Sequence, residues 1–295
     1  MITPLIAKLL RVWPNQAEKR PMVPVQPVES KKELLIETRV KPTYITCYYP
    51  LGREEDNLPA YLNFHGGAFI MNTKDMDDPY CRKLANDTDS VVINIDYAKA
   101  PEYPFPKPLE QVYQIFQWIK EQANELNINP DQLMVGGQSS GANIAAALCL
   151  LLKEREQSQP ILQVLSYPML DFVTPHAEKP EPDPRRAKYP QVANFLNRCY
   201  VPEEGQARHP HASPVFAKEI DGLAPALFVI PEYDAFTPEA EVYAENLRKA
   251  GNQVREVKFK DCYHAFTHLG PEKKAEEAWN LIAEEIRDVI SRCRY

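Results

Sequence analysis

Short apolar runs alternate with longer segments of helical period along most of the chain, and this alternation restricts the fold more than any other feature. "SVVINIDY" (90–97) is a β-branched run with no room for a helix. Comparable strand candidates are "LLIETRV" (34–40), "TYITCYY" (43–49), the run ending in "AYLNFHGGAF" (60–69) and "QLMVGG" (132–137). "ILQVLSYPML" (161–170), "APALFVIPEYD" (224–234) and "QVREVKF" (253–259) complete the set. Between them, 107–126 has helical period, with Val112, Ile115, Phe116 and Ile119 on one face and Pro108 near its start. Further helices are expected from Ser140 to about Glu156, over 238–251 and over 271–292. Strands alternating with helices predict an α/β fold with a largely parallel sheet covered on both faces.

The interruptions are as informative. Residues 172–211 are rich in proline and charge, lack strand signal and hold one amphipathic patch, 192–201. Such a long insertion in an α/β domain reads as a lid or cap. At the other end, Leu5, Ile6, Leu9, Leu10 and Trp13 fall on one helical face, followed by a proline-rich arm over 14–30. Lys8 and Arg11 break the apolar run and no small-residue cleavage site follows, so an amphipathic helix is expected rather than a signal peptide. The expected organisation is an N-terminal arm or cap over 1–45 and a main α/β domain over 46–295, with the cap insertion at about 172–211.

Composition narrows the function. A formal charge of −7 in 295 residues argues against nucleic-acid binding, which needs a basic face. No run reaches the ~18–20 apolar residues of a membrane span. The six cysteines (47, 81, 149, 199, 262, 293) form no CxxC pair, so neither a metal cluster nor a disulfide framework is expected, and a cytoplasmic protein with reduced thiols is.

Chemistry concentrates in two glycine clusters. The chain has only ten glycines, and five of them (66, 67, 136, 137, 141) lie in "HGGAF" and "GGQSSG". Gly137-Gln138-Ser139-Ser140-Gly141 matches G-x-S-x-G only with Ser139 at the centre; eight serines at this glycine content give such a match by chance on the order of 0.01 times per chain. An apolar strand precedes it and a small-residue helix follows, the setting of a nucleophile on a strained turn with helical N–H groups nearby. His65-Gly66-Gly67-Ala68 follows another strand, and its small residues leave backbone N–H groups open to a substrate oxyanion. A serine nucleophile needs a base and an orienting acid. Asp234 and His264 follow later strands in the order Ser, Asp, His. His268 is a rival base, and Glu232 and Glu239 are rival acids; His176, His209 and His211 lie in or beside the proline-rich insertion.

With these residues in place the sequence resembles the hormone-sensitive-lipase family of α/β-hydrolases, in its bacterial carboxylesterase branch. The resemblance runs from about 58 to 270: "HGGAF" for the HGGG box, "DYAKAPEYPFPKPLE" (96–110), "GQSSG" for the GDSAG elbow, "SYPMLD" (166–171), "HASP" (211–214), "EYDAFTPEA" and "HAF". Ala68 replaces a glycine, Gln138 the usual aspartate, and Pro238 another aspartate, while Glu239 keeps its acidic character.

The resemblance implies a serine carboxylesterase acting on small ester substrates with short to medium acyl chains. Ser139, His264 and Asp234 would form the triad, with the oxyanion held by Gly66, Gly67, Ala68 and Ser140. Neither metal nor cofactor is called for. Phe195, Leu196 and Tyr200 are candidates to line the acyl pocket, with packing of cap on domain as their alternative task. A homodimer through the last strand's edge is the family expectation. An amidase, arylformamidase or peptidase on the same triad, and a non-catalytic binding module, are the competing readings.

Overall fold

A computed structural model describes Arg11, residues 20–53 and residues 57–293, apart from the Arg185 side chain. The expected N-terminal amphipathic helix, with Leu5, Ile6, Leu9, Leu10 and Trp13, lies outside the described residues. Eight strands form one sheet: β1 (Ser30–Ile36), β2 (Thr43–Tyr49), β3 (Leu58–Phe64), β4 (Val91–Ile95), β5 (Ile128–Gln138), β6 (Leu162–Ser166), β7 (Ala226–Tyr233) and β8 (Val254–Tyr263). Their order is β1-β2-β4-β3-β5-β6-β7-β8, antiparallel for β1–β2 and β2–β4 and parallel from β4 to β8. The first strand corrects the sequence reading: it begins at Ser30 and ends at Ile36, not 34–40.

The long helices are α1 (Asp78–Thr88), α2 (Lys107–Glu121), α3 (Ser140–Glu154), α5 (Pro190–Tyr200), α6 (Thr237–Lys249) and α8 (Glu272–Arg292). Two single turns are α4 (Pro184–Ala187) and α7 (Phe266–Leu269). Sequence reasoning missed α1, whose charged stretch "DPYCRKLANDT" buries Tyr80, Cys81, Leu84 and Ala85 on one side only.

The central strands β3, β4 and β6 are buried at every position because each feeds two cores. On β3, Ala60, Leu62 and Phe64 join one cluster while Tyr61 joins the other; on β4, Val91, Ile93 and Ile95 separate from Val92 in the same way. The period of two sends successive side chains to opposite faces. Helices α2, α3 and α6 contribute to the first cluster, and α1 and α8 to the second. Helix α3 is buried almost all round, which accounts for its alanine- and leucine-rich sequence. Burying a Leu or Ile side chain is worth about 1.5–3 kcal/mol, so the central strands and α3 make a rigid platform for what leaves their ends.

Those ends set up the site. The crossover direction reverses about β3, with β4 on one side and β5 on the other, and open α/β sheets bind ligands where strand order reverses. Phe64 pairs with Gly137, so the 65–69 loop leaves the sheet beside Ser139. Tyr233 pairs with Tyr263, so Asp234 and His264 leave adjacent strands at the same height. Among the described residues no helix is long and apolar enough to cross a membrane, and the six cysteines are free, only Cys293 being exposed.

Candidate active site

Ser139 caps β5 and opens α3 with φ 54° and ψ −112°, a conformation that costs a non-glycine residue on the order of 1–3 kcal/mol. The turn is held by the Ser139 amide donating to the Ser166 carbonyl at 2.9 Å and by Asn143 N–H donating to the Ser139 carbonyl at 3.1 Å. The flanking glycines have a steric cause. A Cβ at Gly137 or at Gly141 would drive into the Phe64 carbonyl oxygen, so the elbow can lie against the end of β3 only without side chains there.

His264 lies at the end of β8. Its Nε2 is 3.0 Å from Ser139 Oγ and its Nδ1 is 2.6 Å from Asp234 Oδ2. Asp234 is buried, and its other oxygen accepts the Phe236 amide at 3.2 Å. The rings of Tyr167 and Phe236 stand edge-on to the imidazole at 5.1 and 5.2 Å. They restrict its tilt and shield the proton path from water. The rival groups are occupied elsewhere: the Glu232 carboxylate accepts the Asp261 amide at 2.9 Å, and Glu239 is bound to Lys179.

The loop after β3 faces the serine. Gly67 has φ 135°, and a Cβ there would overlap the Met71 carbonyl. The Gly66 carbonyl lies 2.8 Å from His65 Nδ1 and accepts from the Asn72 side chain at 3.2 Å. Because the peptide is planar and trans, fixing that carbonyl points the Gly67 N–H the opposite way. None of the hydrogen bonds recorded among the described residues uses the amides of Gly67, Ala68 or Ser140. The loop is braced from below: the His65 ring stacks on Tyr97 at 4.4 Å, and Tyr97 OH donates to the His65 carbonyl at 2.8 Å. Asp96 lies 3.4 Å from His65 Nε2 and accepts from Lys99 at 2.5 Å. Burial alone would raise the Asp96 carboxyl, but the His65 contact and the Lys99 cation outweigh it and hold the group well below the usual carboxylate range.

A cavity of about 220 Å³ opens over Ser139 and His264. Met71, Met76, Met169, Leu196 and Phe236 give it apolar walls, and the Gly66–Gly67–Ala68 loop forms one side. Of the three residues expected in the pocket, Leu196 lines it and the other two do not. Tyr200 is buried and stacks on Phe69 with ring centroids 3.5 Å apart, and Phe195 packs against the larger core cluster. Helix α5 turns one stripe to the cavity and another to the domain, and Tyr200 and Phe195 lie on the second.

Sequence reasoning also missed a buried polar chain beneath the site. Gln138, beside the serine, donates to Asn63 at 3.2 Å, and Asn63 donates to Asp77 at 2.7 Å. Asp77 Oδ1 is 2.8 Å from His268 Nε2, and His268 Nδ1 is 2.9 Å from Thr267 Oγ1. The signal was Asn63 inside "AYLNF": an amide in a fully buried strand must find partners. Among the described residues no three His, Cys, Asp or Glu side chains converge as metal ligands.

The chain is similar to known proteins in sequence and in fold. The model of the α/β-hydrolase fold family matches residues 61–268. An arylesterase of Saccharolobus solfataricus is 27% identical over 272 residues, covering 91% of this chain and 86% of its own length. The carboxylic ester hydrolase LipN of Mycobacterium tuberculosis is 31% identical over 217 residues, 72% of this chain and 58% of its own. A solved esterase of Pyrobaculum calidifontis superposes with a TM-score of 0.84 at 28% identity, covering 98% of this chain and 92% of that one. The chain belongs to the α/β-hydrolase fold family, in its hormone-sensitive-lipase-like branch.

Proposed function

We propose that this protein is a carboxylesterase that cleaves small esters through an acyl-enzyme on Ser139. The reading rests on one observation above the others: the hydrogen-bond chain from Asp234 through His264 to a serine held on a strained turn. His264 Nε2 takes the Ser139 proton as Oγ attacks the ester carbonyl, while Asp234 keeps the ring in the Nδ1–H tautomer and stabilises its positive charge. The tetrahedral oxyanion meets the amides of Gly67, Ala68 and Ser140, each donor worth about 10²–10³ in rate. The intermediate collapses, His264 protonates the departing alkoxide, and the alcohol leaves. Water then attacks the acyl-serine with His264 again as base, releasing the acid and restoring Ser139. The esterase names of the relatives support an ester over an amide as the substrate.

The test is hydrolysis of p-nitrophenyl acetate, butyrate and octanoate beside the matching anilides, by wild type and Ser139→Ala. The expected outcome is activity on the short and medium esters, little on the anilides, and a loss of about 10⁴–10⁶ in kcat in the variant. Undiminished ester hydrolysis by Ser139→Ala sinks the proposal, and faster cleavage of anilides makes the protein an amidase instead.

A further inference from the structure

Arg186, on the short helix α4 of the cap insertion, brings a formal positive charge into the wall of the cavity over Ser139. Among the described residues no aspartate or glutamate lines that cavity; the rest of its described wall is apolar or carries neutral amides, hydroxyls and the two imidazoles of His264 and His268. The guanidinium is only partly balanced. Its Nε lies 3.8 Å from Glu181 Oε2, beyond hydrogen-bond reach, and the same carboxylate oxygen is 3.3 Å from His176 Nε2. Its Nη1 is buried and has no hydrogen-bond partner among the described residues. The group stands over the Phe236 ring at 5.9 Å, and Phe236 packs against His264, so the cation is one aromatic ring from the reacting imidazole.

The side chain as a whole is 37% exposed, so the cation is met by water, and an aliphatic ester that displaces this water leaves it without an acceptor. The planar fork of an arginine is matched best by a carboxylate, which accepts two parallel hydrogen bonds. We infer that the ester taken by this site carries a second, anionic group, a carboxylate bound by Arg186: a half-ester of a dicarboxylic acid or an acyl ester of a hydroxy acid. The inference rests on the esterase reading and narrows it to a substrate class. Leu196 and Phe236 then flank the methylenes between the ester and the carboxylate, and Asn197, also on the wall, offers an amide beside the charge. The alternative is that Arg186 only ties α4 to Glu181, in which case its loss is indifferent to substrate charge.

The experiment compares esters that differ in charge alone. Monoethyl glutarate is set against its terminal carboxamide, and 3-acetoxypropanoate against 3-acetoxypropanamide, so that the acyl and alcohol sides are both sampled; ethyl butyrate reports ester hydrolysis itself. kcat/KM is measured for wild type, Arg186→Met and Arg186→Lys. Wild type is expected to favour one carboxylate over its carboxamide at least tenfold. Arg186→Met should lower that ratio at least tenfold through KM, and Arg186→Lys should restore part of it. Equal rates on both members of each pair in wild type, or a ratio unchanged in Arg186→Met, overturn the inference. Hydrolysis of ethyl butyrate without preference for charge defeats this inference alone, whereas no hydrolysis of any ester defeats the esterase reading beneath it.

Discussion

Two histidines four residues apart in this chain each pair with an aspartate, in different surroundings. His264 and Asp234 are joined at 2.6 Å, and His268 and Asp77 at 2.8 Å. By distance alone they are equivalent. The second nitrogen separates them: in His264 it meets a serine hydroxyl on a strained turn, and in His268 it meets the Thr267 hydroxyl. The first ring is placed to accept a proton from that hydroxyl, the role proposed for it. The second packs against Tyr80, Trp279 and Tyr167 and joins a polar chain running through Asn63 to Gln138. An imidazole–carboxylate pair is thus no signature of catalysis by itself; the group on the far side of the ring decides.

The comparison breaks most sharply by exchanging the pairs' acids. Asp234→Asn is expected to lower kcat about 10⁴-fold, because the amide favours the wrong tautomer of His264, while stability in urea changes little. Asp77→Asn should do the reverse, with a loss of about 2–4 kcal/mol in urea unfolding and less than about 100-fold in kcat, since it breaks a buried, fully hydrogen-bonded pair. If the two variants showed the same split between activity and stability, the distinction drawn above would collapse.

A third pair, His65 with Asp96, is intermediate and is distinguished by pH. The Asp96 carboxyl is lower in the folded protein than in the unfolded chain, so its stabilisation is present in full above the ordinary carboxylate range and is lost as pH falls through the folded value. Asp96→Asn should therefore cost about 1–3 kcal/mol near pH 7 and progressively less below pH ~4, read from urea titrations of both proteins across that range. A gap between the two that widened on acidification would contradict this assignment. The smallest effect is expected at Ser140, whose side chain is buried with its Oγ 3.3 Å from Tyr97 OH. Ser140→Ala should keep kcat/KM within about threefold, because the proposed contribution of that residue is its backbone N–H; a collapse comparable with Ser139→Ala would assign a role to the hydroxyl.

Much of this was legible in the sequence, for reasons that can be named. The central strands were visible because both faces of the sheet are covered there, which leaves runs such as "ALFVI" without polar interruption. The serine turn was visible because close approach to the Phe64 carbonyl admits only glycine at 137 and 141. Helix α1 was missed because it buries one narrow side and its charged residues mask the period. The task of Tyr200, pocket lining or packing of cap on domain, was left open because an amphipathic stripe says that a side is buried and not what covers it: the covering group is Phe69.

The sequence by itself determined the alternation of strand and helix, the identity of the serine and the order of its partners. These follow from local steric and hydrophobic patterns, which neighbouring residues carry in full. The sequence favoured His264 over its rival His268, but only the register of Tyr233 with Tyr263 shows how His264 comes level with Asp234 and meets Ser139. Tertiary structure alone placed Arg186 over the cavity and joined Gln138 to Asp77 through Asn63. Those contacts join segments 14 to 75 residues apart, and charge or polarity at one end of such a pair carries no information about which distant group will meet it.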